Sequence, residues 1–381
     1  MNWRYVLTRE IKQLFLQDPK RAMYLFGACA LYILLFGLLY GPHVISAVPI
    51  AIYDEDQTSV SRSVIQAFDD SERYQIIAYA ASREELEGLL HEKQVQATIT
   101  IPIDFSRNIK TGHSPSVLVD VNGTNLIISN SVLSSAQEII QVLSSKAATM
   151  KLASTGQLPE QAFHKAIPVT LGMRILSNST LSYLDFFVLG LAMAALQQGI
   201  FLAVGASMIY EYQNLQELQE VPTFQVIAGK LLPYWFFGTL SFIMALALSS
   251  LAFHVPLKGD YTSLLALGTV FSFTATALAS VIAATCQDEV SFTQFSLAYT
   301  VPAFIFSGYT WPQHAMDTLS MIISSTFPLT YFADTVRSLM ITGHAPALQN
   351  NILILLLIGS TLLIISTLLY SNKRNSLLLS K

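Results

Sequence analysis

Long apolar runs separated by short charged breaks make up most of this chain, and one region in its first half departs from that rhythm. Five runs contain no charged residue and reach or approach the ~20 residues that cross a hydrocarbon core: Ala22 to Pro42, Phe186 to Tyr210, Leu231 to Phe253, Thr262 to Ala284 and Ile352 to Tyr370. Each is predicted as a membrane helix. The last holds 13 Leu or Ile, whose side chains favour insertion by about 4 to 8 kcal/mol. A sixth run, Val290 to Gly308, is more polar and contains Pro302. It too is uncharged and is read as a span, because neighbouring helices satisfy the carbonyl that a proline frees.

Thr318 to Ala333 is uncharged but short, lies between Asp317 and Asp334, and is broken by Pro328. Charge placement decides how to read it. Arg4, Arg9, Lys12, Lys20 and Arg21 precede the first span and place the N-terminus in the cytoplasm. Six spans return the C-terminus to the same side, where Lys373, Arg374 and Lys381 belong, so 318–333 is predicted as a re-entrant hairpin on the outer side, within about 309–343. A cleaved signal peptide is the rival reading of the first run, which is long for one and has no small-residue cleavage site after Pro42. Before that run, Trp3, Tyr5, Val6, Leu7, Ile11, Leu14 and Phe15 alternate with Arg4, Arg9, Lys12 and Gln13, the pattern of a helix lying in the membrane interface over residues 1–21. Asp18 is read as a cap and Pro19 as the first helical position after it.

Residues 43–183 carry 10 of the 21 Lys plus Arg and 14 of the 25 Asp plus Glu, so they form a folded domain outside the bilayer. Strands are predicted at Val48 to Tyr53, Gln75 to Ala80, Ala97 to Ile101 and Val117 to Val121, with helices at Val60 to Phe68 and Arg83 to Leu90. Their alternation argues for a small α/β sheet. Val132, Ala136, Ile139, Ile140, Leu143 and Ala147 then share one face of a long helix. The fold class is therefore an α-helical polytopic membrane protein of six transmembrane helices plus an outer re-entrant hairpin, with an inserted α/β extracytoplasmic domain. Residues 22–42 hold the first span, 184–371 the other five, and 372–381 a cytoplasmic tail.

Composition agrees and narrows the chemistry. Charged residues are only 12% of the chain and mean hydropathy is +0.49, which excludes a purely soluble fold. A net charge of -4 gives no reason to expect nucleic acid. Cys29 and Cys286 and the seven scattered histidines offer no disulfide framework and no metal-ligand spacing. There is no P-loop: the Gly229-Lys230 pair has Phe224 at the first-glycine position and Leu231 after the lysine. With no G-x-S-x-G elbow either, no enzyme active site is expected. The uncharged spans also argue against an ion-driven carrier, which places ionisable groups at membrane depth.

Glu211-Tyr-Gln-Asn-Leu-Gln-Glu-Leu-Gln-Glu-Val-Pro222 begins acidic, has Leu215 and Leu218 at helical spacing and stops at proline. It resembles the intracellular coupling helix of ABC type-2 permeases, E-[RK]-G-T-x-E-x-L-x-x-x-P. Glu211, Leu215, Leu218 and Pro222 match without gaps, while Gln213 and Asn214 replace Gly-Thr and the acid falls one place later, at Glu217. Gly229 to Tyr234 resembles the family's entry into the third span. Phe306-Ser307-Gly308 through Pro312, with Met316 after it, is similar to the family's F-S-G-x-x-x-P. Phe327-Pro328-Leu-Thr-Tyr331, Arg337 and Gly343 resemble its outer re-entrant stretch. Val48 to Asp54, Ser61, Ile101 to Phe105 and Arg174 to Asn178 resemble the subgroup with one large domain between spans one and two, with Ser179 where a proline is usual.

The resemblance implies the permease subunit of an ATP-driven exporter of hydrophobic or drug-like compounds in a bacterial cytoplasmic (inner) membrane, with both termini cytoplasmic and the domain at 43–183 periplasmic. ATP and Mg would be bound by a separate ABC ATPase, which 211–222 would contact through Glu211, Leu215, Glu217, Leu218 and Pro222, the two glutamates facing basic residues of that partner. A second permease subunit, identical or closely related, is implied, and Gly37 and Gly41, spaced as G-x-x-x-G, would contact it. A periplasmic adaptor protein is a further implied partner. Phe295, Tyr299 and Phe304 are read as lining a substrate path, or else as facing lipid or other helices. Ser307, Gly308, Pro312 and Pro328 mark the outer re-entrant region. The alternatives are a membrane sensor or scaffold whose external domain binds a ligand, and a secondary transporter.

Overall fold

A computed structural model describes residues 3–41, 45–111, 113, 115–153 and 182–379. The chain divides into two compact units, Met1–His43 with Ile175–Lys381, and Val44–Arg174. Pro42 and the Arg174 to Asn178 match lie outside the described residues. The membrane unit begins with α1 (Trp3–Lys12) and α2 (Pro19–Leu39). Pro19 opens α2 as expected, but the Asp18 carboxylate bonds the Arg21 guanidinium at 3.0 Å and caps no backbone N–H. Within α2 the turn Met23–Gly27 widens to π geometry, and Ser241 donates to the Leu25 carbonyl at 2.8 Å.

The second unit holds β1 (Val48–Asp54), α3 (Ser59–Asp69), β2 (Tyr74–Tyr79), α4 (Arg83–His91), β3 (Ala97–Ile101), α5 (Phe105–Thr111), β4 (Leu118–Val121) and α6 (Leu126–Ala153). The sheet order is β2-β1-β3-β4, with β1 parallel to both neighbours and β4 antiparallel to β3. Alternation along β1 supplies two cores. Val48, Ile50 and Ile52 face Val64 and Phe68 of α3 and Val132 and Ala136 of α6, while Ala51 faces Leu86 of α4. Thr58 caps α3 in a capping box closed by Ser61. The Tyr74 hydroxyl donates to the Val132 carbonyl at 2.7 Å, which fixes α6 on the sheet. Helix α5 has no counterpart in the sequence expectation, because seven residues give too little periodicity to read.

The membrane unit continues with α7 (Tyr183–Gln213), α8 (Thr223–Phe253), α9 (Tyr261–Thr285), α10 (Glu289–Ile305), α11 (Thr318–Ser325), α12 (Pro328–Thr342) and α13 (Leu348–Leu379). Helix α7 is the central one, buried along most of its length against α2, α8, α9, α10 and α12. Its N-cap is Ser182, whose hydroxyl accepts from the Asp185 backbone N–H, so Asp185 lies in the first turn and is not the cap. Among the described residues six helices are long and apolar enough to cross a membrane: Pro19–Leu39, Leu126–Ala147, Tyr183–Gln213, Thr223–Phe253, Tyr261–Thr285 and Leu348–Ser376. Their membership differs from the sequence expectation. Leu126–Ala147 belongs to α6, one face of which packs into the core of the second unit. The run at 290–308 becomes α10, whose 17 residues span about 26 Å, the lower limit for a crossing.

Candidate coupling site

Helix α7 runs past its uncharged stretch to Gln213 and so carries Glu211 in its last turn. Asn214 ends it, folding its side-chain amide back to donate to the Tyr210 carbonyl at 2.8 Å. A single 3₁₀ turn, Leu215–Leu218, follows, and Pro222, which has no N–H to place, opens α8. This corrects the coupling helix expected over 211–222: the segment is one short turn between two long helices. Leu218 and Val221 are buried at 1% exposure each and hold the turn against the unit, whereas Glu217, Gln219, Glu220 and Phe224 face outward. Pro222 is exposed, and the Leu215 side chain lies outside the described ones.

Behind the turn lies a charge cluster drawn from four helices, α1, α2, α7 and α8. Lys230 of α8 is fully buried, with Nζ 2.7 Å from Glu10 Oε2 and 3.3 Å from Glu211 Oε2. Arg9 Nη1 reaches Glu211 at 3.2 Å and Nη2 reaches Glu217 at 2.7 Å. Arg21 Nη1 lies 3.4 Å from Glu10 Oε1, which also accepts from the hydroxyls of Ser207, at 2.5 Å, and Tyr234, at 2.7 Å. The four most deeply buried members, Lys230, Arg21, Glu10 and Glu211, are two of each sign, so the interior charge closes. Burial alone would raise the pKa of Glu10, but the Lys230 ammonium and the donors around the carboxylate outweigh it and hold Glu10 below the ordinary carboxylate value.

These contacts correct two expectations. Glu211 and Glu217 find their basic partners within this chain, in Arg9 and Lys230, and Glu211 has no exposure with which to meet another protein. The N-terminal helix does more than lie in an interface: Val6 is buried against α8, so close to Gly229 that a Cβ there would stand 2.9 Å from Val6 Cβ. Sequence reasoning missed Glu10, Lys230, Ser207 and Tyr234. The available signal was Glu10 itself, an acid on the apolar face of an otherwise basic helix.

The other candidate residues fall elsewhere. Gly37 is filled within the chain, since a Cβ there would meet the Phe253 ring at 2.4 Å, so it presents no free helix face, and Gly41 has only its own helix beside it. Along α10, Phe295 points outward at 60% exposure, Tyr299 packs on Phe201 and Phe327, and Phe304 packs on Phe187 and Tyr309. The three do not converge on one channel. Beside these ring contacts, polar bonds also join α10 to α7: Gln198 donates to Ser296 at 2.9 Å and accepts from Thr300 at 2.8 Å.

Ser307, Gly308 and Pro312 form the turn after α10, with Gly308 at φ +83°, where a side chain would be strained. Pro328 opens α12, and α11 and α12, of 8 and 15 residues, are each too short to cross a bilayer. Gly308, Pro312 and residues of α12 line a cavity of about 640 Å³ that also includes Arg337, Asp334 and Asn351. Arg337 pairs with Asp334 and lies over the rings of Phe186 and Tyr309, 4.8 and 4.4 Å from their centroids.

Comparison with known proteins agrees with this architecture. The ABC-2 family transporter protein family matches residues 21–368, most of the chain. The chain is 22% identical over 339 residues to the probable multidrug ABC transporter permease YbhR of Escherichia coli strain K12, covering 88% of this chain and 89% of that protein. It is 21% identical over 384 residues to the probable multidrug ABC transporter permease YbhS of the same strain, covering 98% of each. The chain therefore belongs to the ABC-2 family of transporter proteins, as the multi-pass permease subunit of an ABC exporter, and that membership implies an ATPase subunit as its partner.

Proposed function

We propose that the turn at 214–222 is the surface on which the ATPase subunit acts, and that the buried ion pairs behind it make α1, α7 and α8 move with it. One observation carries this reading: an outward acidic and apolar edge, Glu217, Gln219, Glu220 and Phe224, is joined through Arg9, Glu211, Lys230 and Glu10 to three helices at once. ATP and Mg bind to the partner, and this chain contributes the path. Arg4, Arg9, Lys12, Lys20 and Arg21 before α2 and Lys373 and Arg374 at the other end support a topology with both termini cytoplasmic. On that topology the second unit and the α11–α12 pair lie on the outer side, periplasmic in a bacterial inner membrane, where the sheet unit is available to an adaptor protein. Two subunits meet through exposed apolar faces of α2 (Leu31, Leu34, Leu35, Leu38) and α10 (Phe295, Val301, Ile305), which replace Gly37 as the dimer contact. The names of the relatives favour hydrophobic, drug-like cargo.

The test is purification of the chain from its native membrane in mild detergent, asking whether an ATP-binding-cassette subunit accompanies it. A Glu220→Arg/Phe224→Asp variant, altered only on exposed side chains, is expected to keep its thermal stability and lose about tenfold in ATPase recovery, a 1.4 kcal/mol effect. Unchanged recovery would remove the turn as the docking surface. No ATPase with the native chain would remove the whole reading.

A further inference from the structure

The last turns of α13 carry Lys373 and Arg374, two cations that a topology rule treats as interchangeable and that the structure uses separately. Arg374 Nη1 donates to the Val221 carbonyl at 2.8 Å, immediately before Pro222. Lys373 lies over the Tyr212 ring, 4.1 Å from its centroid, and donates to the Ala284 carbonyl at the end of α9 at 3.5 Å. Tyr370 packs on Tyr212 with centroids 5.8 Å apart. The end of α13 therefore grips the turn from the side opposite in sequence to Arg9, so both ends of the chain hold it. At the start of α13, Asn351 Nδ2 donates to Thr335 Oγ1 of α12 at 2.8 Å, and both residues line the 640 Å³ cavity. The two grips lie on one uninterrupted helix, about 34 Å apart along its axis.

We propose that α13 is the strut that carries displacement of the coupling turn to the cavity, with Arg374 and Asn351 as the positioning residues at its two ends. This rests on the reading of the turn as the ATPase contact. A helix transmits displacement along its axis because every backbone hydrogen bond resists stretching, and it does so only where both ends are attached. The Tyr370 hydroxyl of α13 lies against the Glu211 carboxylate of α7, with the Tyr212 hydroxyl buried beside them, so a slide of α13 against α7 changes polar contacts at the turn. The cavity end then changes shape with the turn, although no residue of the cavity contacts the turn.

The experiment places a reporter in the cavity as Ser338→Cys, a half-buried lining position, and compares it with the parent chain, whose Cys29 and Cys286 are buried. In the complex with its ATPase, the rate of maleimide modification is measured without nucleotide and with ATP plus vanadate. The native background is expected to respond by about fivefold or more, the lower end of ordinary coupling. Arg374→Gln, read per assembled complex, is expected to lose the response, and Arg374→Lys to restore part of it. Asn351→Ala, far from the ATPase surface, is expected to lose the response as well, which covers the case in which Arg374→Gln does not assemble. A full response in Arg374→Gln or Asn351→Ala overturns the strut, as does a native complex with ATPase bound and no response. Absence of ATPase from the native preparation instead overturns the reading beneath it.

Discussion

Lys230 and Arg337 are both cations set among the helices of the membrane unit. Lys230 is fully buried and meets carboxylates from two other elements, Glu10 on α1 and Glu211 on α7, the first of them 220 residues away in sequence. Arg337 pairs with Asp334 one turn earlier on its own helix, and its guanidinium lies over the rings of Phe186 and Tyr309. The first arrangement joins elements: moving α1, α7 or α8 alone would leave a charge buried without its partner. The second is local: α12 carries its counter-ion with it, and a guanidinium slides over an aromatic face at small cost. The coupling end is built as a rigid joint and the cavity end as one that can shift.

The largest effect should come from breaking the joint. Lys230→Met leaves two buried carboxylates facing each other and is expected to lower stability by about 3–5 kcal/mol, read as thermal unfolding in detergent. Adding Glu10→Gln should recover part of that loss, with a coupling above about 1 kcal/mol in a double-mutant cycle. A Lys230→Met chain as stable as Lys20→Met, a change at an exposed lysine, would dissolve the contrast between the two ends. At the cavity end Arg337→Lys keeps the charge beside Asp334 and changes the cation over the Phe186 and Tyr309 rings, so about 0.5–2 kcal/mol is at stake. Unfolding as severe as that of Lys230→Met would show that Arg337 too binds distant elements together.

The same contrast explains what the sequence allowed to be read. Ala97–Ile101 was legible to the residue because a run of β-branched residues stopped by Pro102 has a local cause. Helices α7, α8, α9 and α13 were legible as spans because apolar composition is local too, although each runs beyond its uncharged run. The ion cluster was not, since Glu10 and Lys230 owe their burial to partners far along the chain, and a lysine next to a span looks like an ordinary flanking charge. Gly37 misled for a related reason: its spacing with Gly41 shows that something can approach closely, and the fold supplies Phe253 of the same chain. Arg374 was read only as one positive charge among several, and its hydrogen bond to Val221 depends on the packing of α13.

The smallest effect separates charge from packing at the coupling end and is defined by a pH window. Glu10 is held below the ordinary carboxylate value when folded, so its stabilising contribution is fully present above the unfolded pKa of about 4.3 and is lost as pH falls through the folded value. Between pH 8 and pH 5 the gap in melting temperature between the native chain and Glu10→Gln should stay constant, because the carboxylate is ionised in both folded and unfolded chains. Below about pH 4 the unfolded chain takes up its proton first and the gap should narrow. Melting curves of the two proteins across that range decide the point. A native chain that instead gained on Glu10→Gln between pH 7 and pH 5 would mean a raised Glu10, burial outweighing Lys230, because the folded chain would then take up the proton first, and the coupling end would be a proton-sensitive joint and no longer a fixed one.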